Sequence, residues 1–414
     1  MKRLFKSIAL LGLAAVTATP AVADATPAVD ALRVVKVRSG DVAGLAGAVA
    51  DPANANTLID LEPGVYRLAA PLRLQPNQFL RGTNRYRFSG GSPAPRPDGG
   101  YADPESETIL DCAAVTGPGC VFIREGGLTG LTVSGGTAGA LVQVGGAGSP
   151  PPYDVQLRRV DVAGGERAFR MQVGAGHGSA TIEQSVLRDT SGFFSFGWQL
   201  QISGAATSGA SIEATIANST VTGNKFGGFV AGLGSGATFA VTSHANSYIG
   251  NGAGLALHPA RDATAGLGGT APGVHGNRLT FLSESDSFVR NGTYNDFYWP
   301  YLGGIVATTA LRQGPNSGPH SNNAMELTVK DPRFTDNVVA DLLAYAAVSL
   351  DGGFPQGLPS TELAGVGNVL DLTLDVGAHT GQFVGCASIP NDPTGTNSLH
   401  IDGGAVTPTC GVLP

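Results

Sequence analysis

The stretch Asn246-Ser-Tyr-Ile-Gly-Asn251 decides the fold, because the chain repeats its pattern. Each copy places a short apolar pair before an amide or acid at a turn, and a second short apolar run follows. The other copies, the first of them weaker, read Gln184-Ser-Val-Leu-Arg-Asp189, Ser219-Thr-Val-Thr-Gly-Asn224, Asp286-Ser-Phe-Val-Arg-Asn291 and Pro332-Arg-Phe-Thr-Asp-Asn337. A repeat this short cannot bury its own apolar face, so it must stack on its neighbours.

The spacing of these copies indicates a solenoid. The turn residues 189, 224, 251, 291 and 337 lie 35, 27, 40 and 46 residues apart. Without the polar insertions 203–210, 259–274, 292–301 and 313–322, the spacings become 27, 27, 24 and 26. A near-constant period with insertions between strands is typical of a repeat architecture.

Residue types favour strands in these repeats. Short runs of Val, Ile, Phe, Leu and Thr alternate with Gly, Asn and Asp, which is the chemistry of strands and turns. Several strands per repeat without helical crossovers predict an all-β parallel β-helix. Asn224, Asn251, Asn291 and Asn337 are then expected to lie in one line, with their amides bonded as a ladder. A β-sandwich or a propeller built from similar strands is the alternative.

Residues 34–82 carry a second signal. Ser39-Gly-Asp41 can cap a short helix through Ala50, and the strand Thr57–Leu61, the turn Glu62-Pro-Gly-Val-Tyr66 and the strand Gln78-Phe-Leu-Arg-Gly82 follow. Together with the repeats, this order resembles the right-handed parallel β-helix of the pectin-lyase-like superfamily. The resemblance implies that the short N-terminal helix covers the apolar face of the first coil.

The chain is expected to form one exported domain. Residues 1–23 have the basic start, the apolar run and the Ala21-Val22-Ala23 site of a signal peptide, with a retained anchor as the alternative. Residues 24–414 then form a single β-helix, with the cap and first coils at 34–82, clear repeats at 180–350 and a C-terminal cap at 376–414. No later segment is expected to span a membrane. The predicted location is secreted or periplasmic.

Export to an oxidising compartment would allow the four cysteines to form disulfides. They allow three pairings. The local pairing, Cys112–Cys120 and Cys386–Cys410, suits a solenoid whose ends are far apart. No CxxC or histidine spacing accompanies these cysteines, so no metal site is expected.

Composition limits the partners. The chain has a formal net charge of −7 and charged residues make up 14% of it. After the first segment its lysines are Lys36, Lys225 and Lys330. An acidic chain without a basic run argues against a nucleic-acid partner.

Candidate site residues lie in the insertions 203–210, 259–274, 313–322 and 352–366, which follow the same strand of successive coils. Stacking would place them side by side along one edge. Another insertion, 292–301, is rich in aromatic rings that either bind a sugar face or pack on their own coil. The residues predicted to bind a polysaccharide or cell-surface glycan are His258, Asp262 and His320 with Arg261, Arg312, Tyr298, Trp299 and Tyr301.

Catalytic motifs of the resembled superfamily are missing. Only Gly176-His177-Gly178 matches the hydrolase series Asn-Thr-Asp, paired Asp, Gly-His-Gly and Arg-Ile-Lys, and it stands alone. The carboxylate pair of an inverting hydrolase cannot be assigned. We therefore expect a polysaccharide-binding β-helix without a cofactor. The alternative is a lyase or glycoside hydrolase acting on acidic polysaccharide, with calcium if it is a lyase.

Overall fold

A computed structural model of the chain describes most of the sequence. The described residues are 32–84, 88–89, 92–93, 107–136, 139–146, 151–192, 194–203, 209–262, 272–292, 302–314, 316–351, 358–377, 382–404, 407–408 and 410. The proposed signal peptide and the aromatic insertion with Tyr298, Trp299 and Tyr301 lie outside these residues.

Three long parallel sheets make up the molecule, and the chain visits them in the same order in each coil. The first sheet contains twelve described strands, which are Arg33–Val37, Thr57–Leu61, Gln78–Arg81, Glu125–Thr129, Tyr153–Arg158, His177–Glu183, Ser211–Ala217, Thr238–His244, Arg278–Glu284, Ala324–Lys330, Val369–Asp375 and Ser398–Gly403. From Tyr153–Arg158 to Val369–Asp375 its strands mostly alternate between buried and more exposed residues, so one face packs inward and the other meets solvent.

The second sheet forms one narrow wall of the solenoid. Its nine described strands are Gly64–Arg67, Thr108–Asp111, Thr132–Ser134, Asp161–Ala163, Val186–Arg188, Thr220–Thr222, Ser247–Ile249, Ser287–Val289 and Arg333–Thr335. Each of these strands is three or four residues long and pairs in parallel with the next coil.

The third sheet differs because several of its strands are buried along their whole length. Its main strands are Leu72–Arg73, Gly119–Ile123, Ala140–Gly145, Arg167–Val173, Phe196–Ile202, Phe226–Gly232, Ala253–His258, Gly303–Gln313, Leu342–Asp351, Phe383–Ile389 and Thr407–Pro408. Two short strands extend it, Ala260–Arg261 beside the strand Gly303–Gln313 and Leu358–Pro359 beside the strand Leu342–Asp351. A separate hairpin pairs Phe88–Ser89 with Ser92–Pro93.

The stacked parallel sheets agree with the predicted β-solenoid, and the predicted asparagine ladder is confirmed. The side-chain oxygen of Asn251 accepts from the backbone N–H of Asn224 at 3.0 Å, and Asn291 and Asn337 continue the series. The ladder begins at Thr190, whose N–H donates to Asn224. The alignment of Asp189 with the asparagines was therefore wrong by one residue, because Asp189 takes the left-handed conformation that precedes each ladder position.

Two further ladders stabilise the other corners. Between the first and second sheets, the backbone N–H of Asn246 donates to Asp286, and Ser219 and Ser185 continue the series. Between the third and first sheets, the ladder joins Asn277, Asn323, Asn368 and Asn397. Each ladder satisfies buried backbone N–H groups that would otherwise cost free energy.

The interior is one continuous apolar column that includes residues from nearly every coil. Trp198 is fully buried in it, and Gly228 makes the room, because a Cβ at Gly228 would lie 2.1 Å from the ring of Trp198. A helix at Val42–Ala50 packs Leu45 and Val49 into the same column, and the side chain of Asp41 caps it by accepting from Gly44 at 2.8 Å. A 3-10 helix follows at Pro52–Asn54.

Both predicted disulfides are present. Cys112 bonds to Cys120, and Cys386 bonds to Cys410. Each bridge therefore connects neighbouring parts of the solenoid rather than its two ends.

The predicted position of the insertions is also confirmed. Residues 203–210, 259–274, 313–322 and 352–366 all follow strands of the third sheet. The aromatic insertion 292–301 comes after the second-sheet strand Ser287–Val289 in the sequence, and its residues 293–301 lie outside the described part of the chain.

Candidate functional site

The outer face of the third sheet carries the charge and the aromatic rings of the candidate site. Backbone register places Gln143, Arg170, Gln199 and Phe229 side by side on successive strands. Their inward neighbours, such as Phe169 and Trp198, fill the core. Because side chains alternate between the two faces of a strand, the row beginning at Gln143 faces outward.

This face opens into a cavity of about 230 Å³, which we call the arginine pocket. Four successive coils contribute to it. Its lining residues are Arg167, Arg170, Phe194, Phe196, Gln199, Gln201, Phe229, Ala231, Leu233, Arg261 and Asp262.

Three guanidinium groups dominate the electrostatics of the arginine pocket. Arg167 is paired with Glu166 at 2.8 Å, whereas the described residues offer no carboxylate within ion-pair distance of Arg170 or Arg261. Burial, reinforced by the neighbouring Arg167, lowers the pKa of Arg170 to about 10, so this guanidinium stays cationic at neutral pH. The arginine pocket therefore has a local excess of positive charge.

Several buried polar atoms in the arginine pocket have no hydrogen-bond partner among the described residues. They are the Nε atoms of Arg167, Arg170 and Arg261 and the Oε1 atom of Gln199. Gln199 is only 5% exposed and Arg261 only 9%. Each buried donor or acceptor left unpaired costs about 1–3 kcal/mol, so these atoms mark a place built to receive a polar ligand or water.

Phenylalanine rings form the apolar wall of the arginine pocket. The ring of Phe196 lies 4.7 Å from that of Phe229, between centroids, and 6.4 Å from that of Phe194. The guanidinium of Arg261 lies 5.1 Å from the centroid of the Phe229 ring, a distance at which the ring face attracts a cation. Phe196 and Phe229 are buried, at 2% and 1% exposed, whereas Phe194 is only partly buried, so Phe194 is the ring of this wall that a ligand can reach.

A buried pair of ionisable side chains borders the arginine pocket. The Nε2 atom of His320 lies 2.9 Å from Oδ1 of Asp262, but the two are not aligned as a hydrogen bond. Nδ1 of His320 accepts from the backbone N–H of Val274 at 2.9 Å, which assigns the ring proton to Nε2. The other carboxylate oxygen of Asp262 accepts from the backbone N–H of Gln313.

These contacts join insertions from adjacent coils, as the stacking of the repeats predicted. Gln313 also accepts a hydrogen bond from Arg261 at 3.1 Å. Asp262 and Arg261 are thereby fixed at the edge of the arginine pocket by the next coil.

Besides His320, two further predicted site residues, Arg312 and His258, are absent from the lining of the arginine pocket. Arg312 is 5% exposed and donates to the carbonyl of Ser317, to Ser349 and to Glu362, so it holds two insertions together. His258 is fully buried 5.6 Å from the ring of Phe229, and burial lowers its pKa well below the usual value. His258 and His320 were predicted to bind a glycan, but both side chains are 0% exposed because the coils cover them.

Sequence reasoning missed most of the arginine pocket. Arg167, Arg170, Phe196, Gln199 and Phe229 come from regular strands rather than from insertions. One signal was available, since arginine and glutamine interrupt otherwise apolar runs in Arg167–Val173 and Phe196–Ile202.

Charge is distributed unevenly between the sheets. The strands of the third sheet contain Arg73, Arg167, Arg170, Arg261 and Arg312 and one acid, Asp351. The strands of the first sheet contain ten Asp or Glu against six Lys or Arg. An acidic chain can therefore carry a locally basic surface on one side.

No family model, curated protein or solved structure matches this chain. Within the described residues, no group of three His, Cys, Asp or Glu side chains could hold a metal ion. None of the described helices has the length and apolar character needed to cross a membrane.

Proposed function

We propose that this protein is an exported, right-handed β-helix of pectin-lyase-like type that binds an acidic polysaccharide in the arginine pocket. The observation that carries the proposal is the placement of Arg170 and Arg261, without a carboxylate partner among the described residues, beside the rings of Phe196 and Phe229.

The chemistry of a uronic acid fits this arrangement. Its carboxylate would accept from the guanidinium groups of Arg170 and Arg261, in charge-assisted hydrogen bonds that are stronger than neutral ones. The apolar face of its sugar ring would pack on the ring of Phe194, which is partly exposed. The amide of Gln199 offers an acceptor for a sugar hydroxyl.

The other residues predicted from the sequence are proposed to support the site or to enlarge it. Asp262 and His320 hold Arg261 in place through the adjoining insertions. Tyr298, Trp299 and Tyr301 are proposed to extend the sugar-binding surface. Arg312 is assigned to the support of the insertions rather than to direct contact with the glycan.

Calorimetry tests the proposal by measuring how tightly the protein binds polygalacturonate and a neutral β-glucan. We expect wild type to bind the acidic polymer in preference to the neutral one. Arg170→Gln should weaken acidic binding about tenfold or more, as expected when a charged hydrogen-bond donor is lost. Arg158→Gln is the matched control, because Arg158 lies on the first sheet with its side chain 60% exposed. Equal binding by wild type and Arg170→Gln would contradict the proposal.

The alternative is turnover of the same polymer, which the position of Asp262 at the arginine pocket favours. A lyase would release products that absorb as unsaturated uronates when wild type is incubated with the acidic polymer, whereas a binding protein would release none. Calcium belongs only to this alternative, and its effect is measured by adding the ion to the same assay.

A further inference from the structure

A second cavity lies on the same face of the third sheet, toward the N-terminal end of the solenoid. It has a volume of about 170 Å³ and we call it the N-terminal pocket. Its lining residues are Arg73, Leu74, Phe122, Ile123, Arg124, Gln143, Gly145 and Tyr153.

The N-terminal pocket repeats the chemistry of the arginine pocket. The guanidinium of Arg73 lies 4.1 Å from the centroid of the Phe122 ring, so a cation again adjoins an aromatic face. Gln143 is 3% exposed, and its Oε1 atom has no hydrogen-bond partner among the described residues. The same holds for the buried Nε atom of Arg124. Unpaired buried polar atoms again mark a site suited to a polar ligand.

Register places the two pockets on one line. Arg73, Phe122, Gln143 and Arg170 occupy equivalent positions on four successive strands, and Gln199 and Phe229 continue the row. Parallel strands are about 4.8 Å apart, so Arg73 and Arg170 are separated by roughly 14 Å along the solenoid. No acidic residue occupies this row between them.

We infer that the two pockets are subsites for one polyanionic chain, which lies along the outer face of the third sheet. The inference rests on the proposed function and narrows it, because a ligand with repeated anionic groups would engage both pockets at once. Linking two contacts in one ligand raises affinity by avidity, whereas a short acidic sugar would fill each pocket separately.

Calorimetry with two galacturonate probes tests the inference. We expect digalacturonate to bind at two sites per chain and a galacturonate decamer to bind once, on the order of 100-fold more tightly. The double variant Arg73→Gln/Arg124→Gln should bind the dimer at one site and lose the advantage for the decamer. Arg124→Gln alone is the second variant, because the Arg124 side chain is 41% exposed and its replacement should leave the fold intact. Arg158→Gln again serves as control.

The outcomes separate this inference from the proposed function. If Arg170→Gln weakens the decamer while the N-terminal variants bind it as wild type does, the second subsite is overturned and the proposed function stands. If wild type binds neither probe, both fail. A single site for the dimer in wild type also overturns the second subsite.

Discussion

At the scale of single residues, Asp286 shows how a ladder position controls the charge of a side chain. Equivalent positions in the two preceding coils hold Asn246 and Ser219, which are neutral. Asp286 is fully buried and accepts from the hydroxyl of Ser283 at 2.7 Å and from the backbone N–H of Asn246 at 2.8 Å. Burial raises the pKa of this carboxyl to about 6 despite these hydrogen bonds.

Asp286→Asn should therefore stabilise the protein at neutral pH. A carboxyl whose pKa is raised on folding favours the folded state when protonated, so its contribution is complete below about pH 4 and is lost as pH rises through about 6. The loss amounts to about 3 kcal/mol, from roughly two pKa units. Asparagine removes the charge and can still accept from Asn246.

Urea unfolding of wild type and Asp286→Asn between pH 4 and pH 8 measures this difference. It should grow from pH 4 to about pH 6 and stay level above that, whereas Thr280→Ala, which removes no ionisable group from an exposed position, should show a flat difference. A pH-independent difference for Asp286→Asn would show that the carboxyl is not protonated on folding.

At the scale of elements, the asparagine ladders connect coils through the short corners. Asn251 is fully buried; its Oδ1 accepts from the backbone and side chain of Asn224, and its Nδ2 donates to the carbonyl of Val221 and to Asn291. The same residue thus satisfies groups in the coils on both sides of its own. An alanine in its place would leave the N–H of Asn224 buried without this acceptor.

Asn251→Ala is expected to lower the free energy of unfolding by about 3 kcal/mol, since it unpairs more than one buried group. Denaturant unfolding measures the loss. Thr280→Ala, at an exposed position of the first sheet, is the control and should change stability by less than about 0.5 kcal/mol. If Asn251→Ala loses no more stability than the control, the ladder does not stabilise the fold.

At the scale of the whole molecule, each disulfide closes a local segment. The sequence separation is 8 residues for Cys112–Cys120 and 24 for Cys386–Cys410. In the chain-entropy account, a longer closed loop restricts the unfolded chain more. The second bridge should therefore stabilise the protein more than the first.

Replacing both cysteines of a bridge by alanine should lower the free energy of unfolding. The expected loss is about 2.5 kcal/mol for Cys112–Cys120 and about 3.5 kcal/mol for Cys386–Cys410. Denaturant unfolding of the two double variants compares the losses. Mass spectrometry of a non-reduced digest of the protein provides the independent check, and crossed pairs or free thiols would contradict the assignment.

The stacking of the coils also explains how an acidic chain forms the positively charged arginine pocket. Each sheet collects one strand from every coil, so residues about one repeat apart become neighbours on one face. The arginines of the third sheet are thereby gathered on one side, away from the acids of the first sheet. This separation makes an acidic polysaccharide compatible with the net charge of −7.

The sequence alone determined the stacked parallel strands, the line of Asn224, Asn251, Asn291 and Asn337, the corner that carries the insertions, and both disulfides. These features depend on local turn chemistry and on a period that can be read along the chain. A second line of asparagines, from Asn277 to Asn397, escaped notice because insertions of unequal length precede its members.

Only the tertiary structure decided the arginine pocket. The pocket brings together residues from four coils, Arg170, Gln199, Phe229 and Arg261. They are close to one another only because each pair of neighbouring strands has one exact register. A shift of one residue would turn a side chain from the outer face to the core. The burial of His258 and His320 was equally hidden, because exposure depends on which coils cover a segment rather than on its own residues.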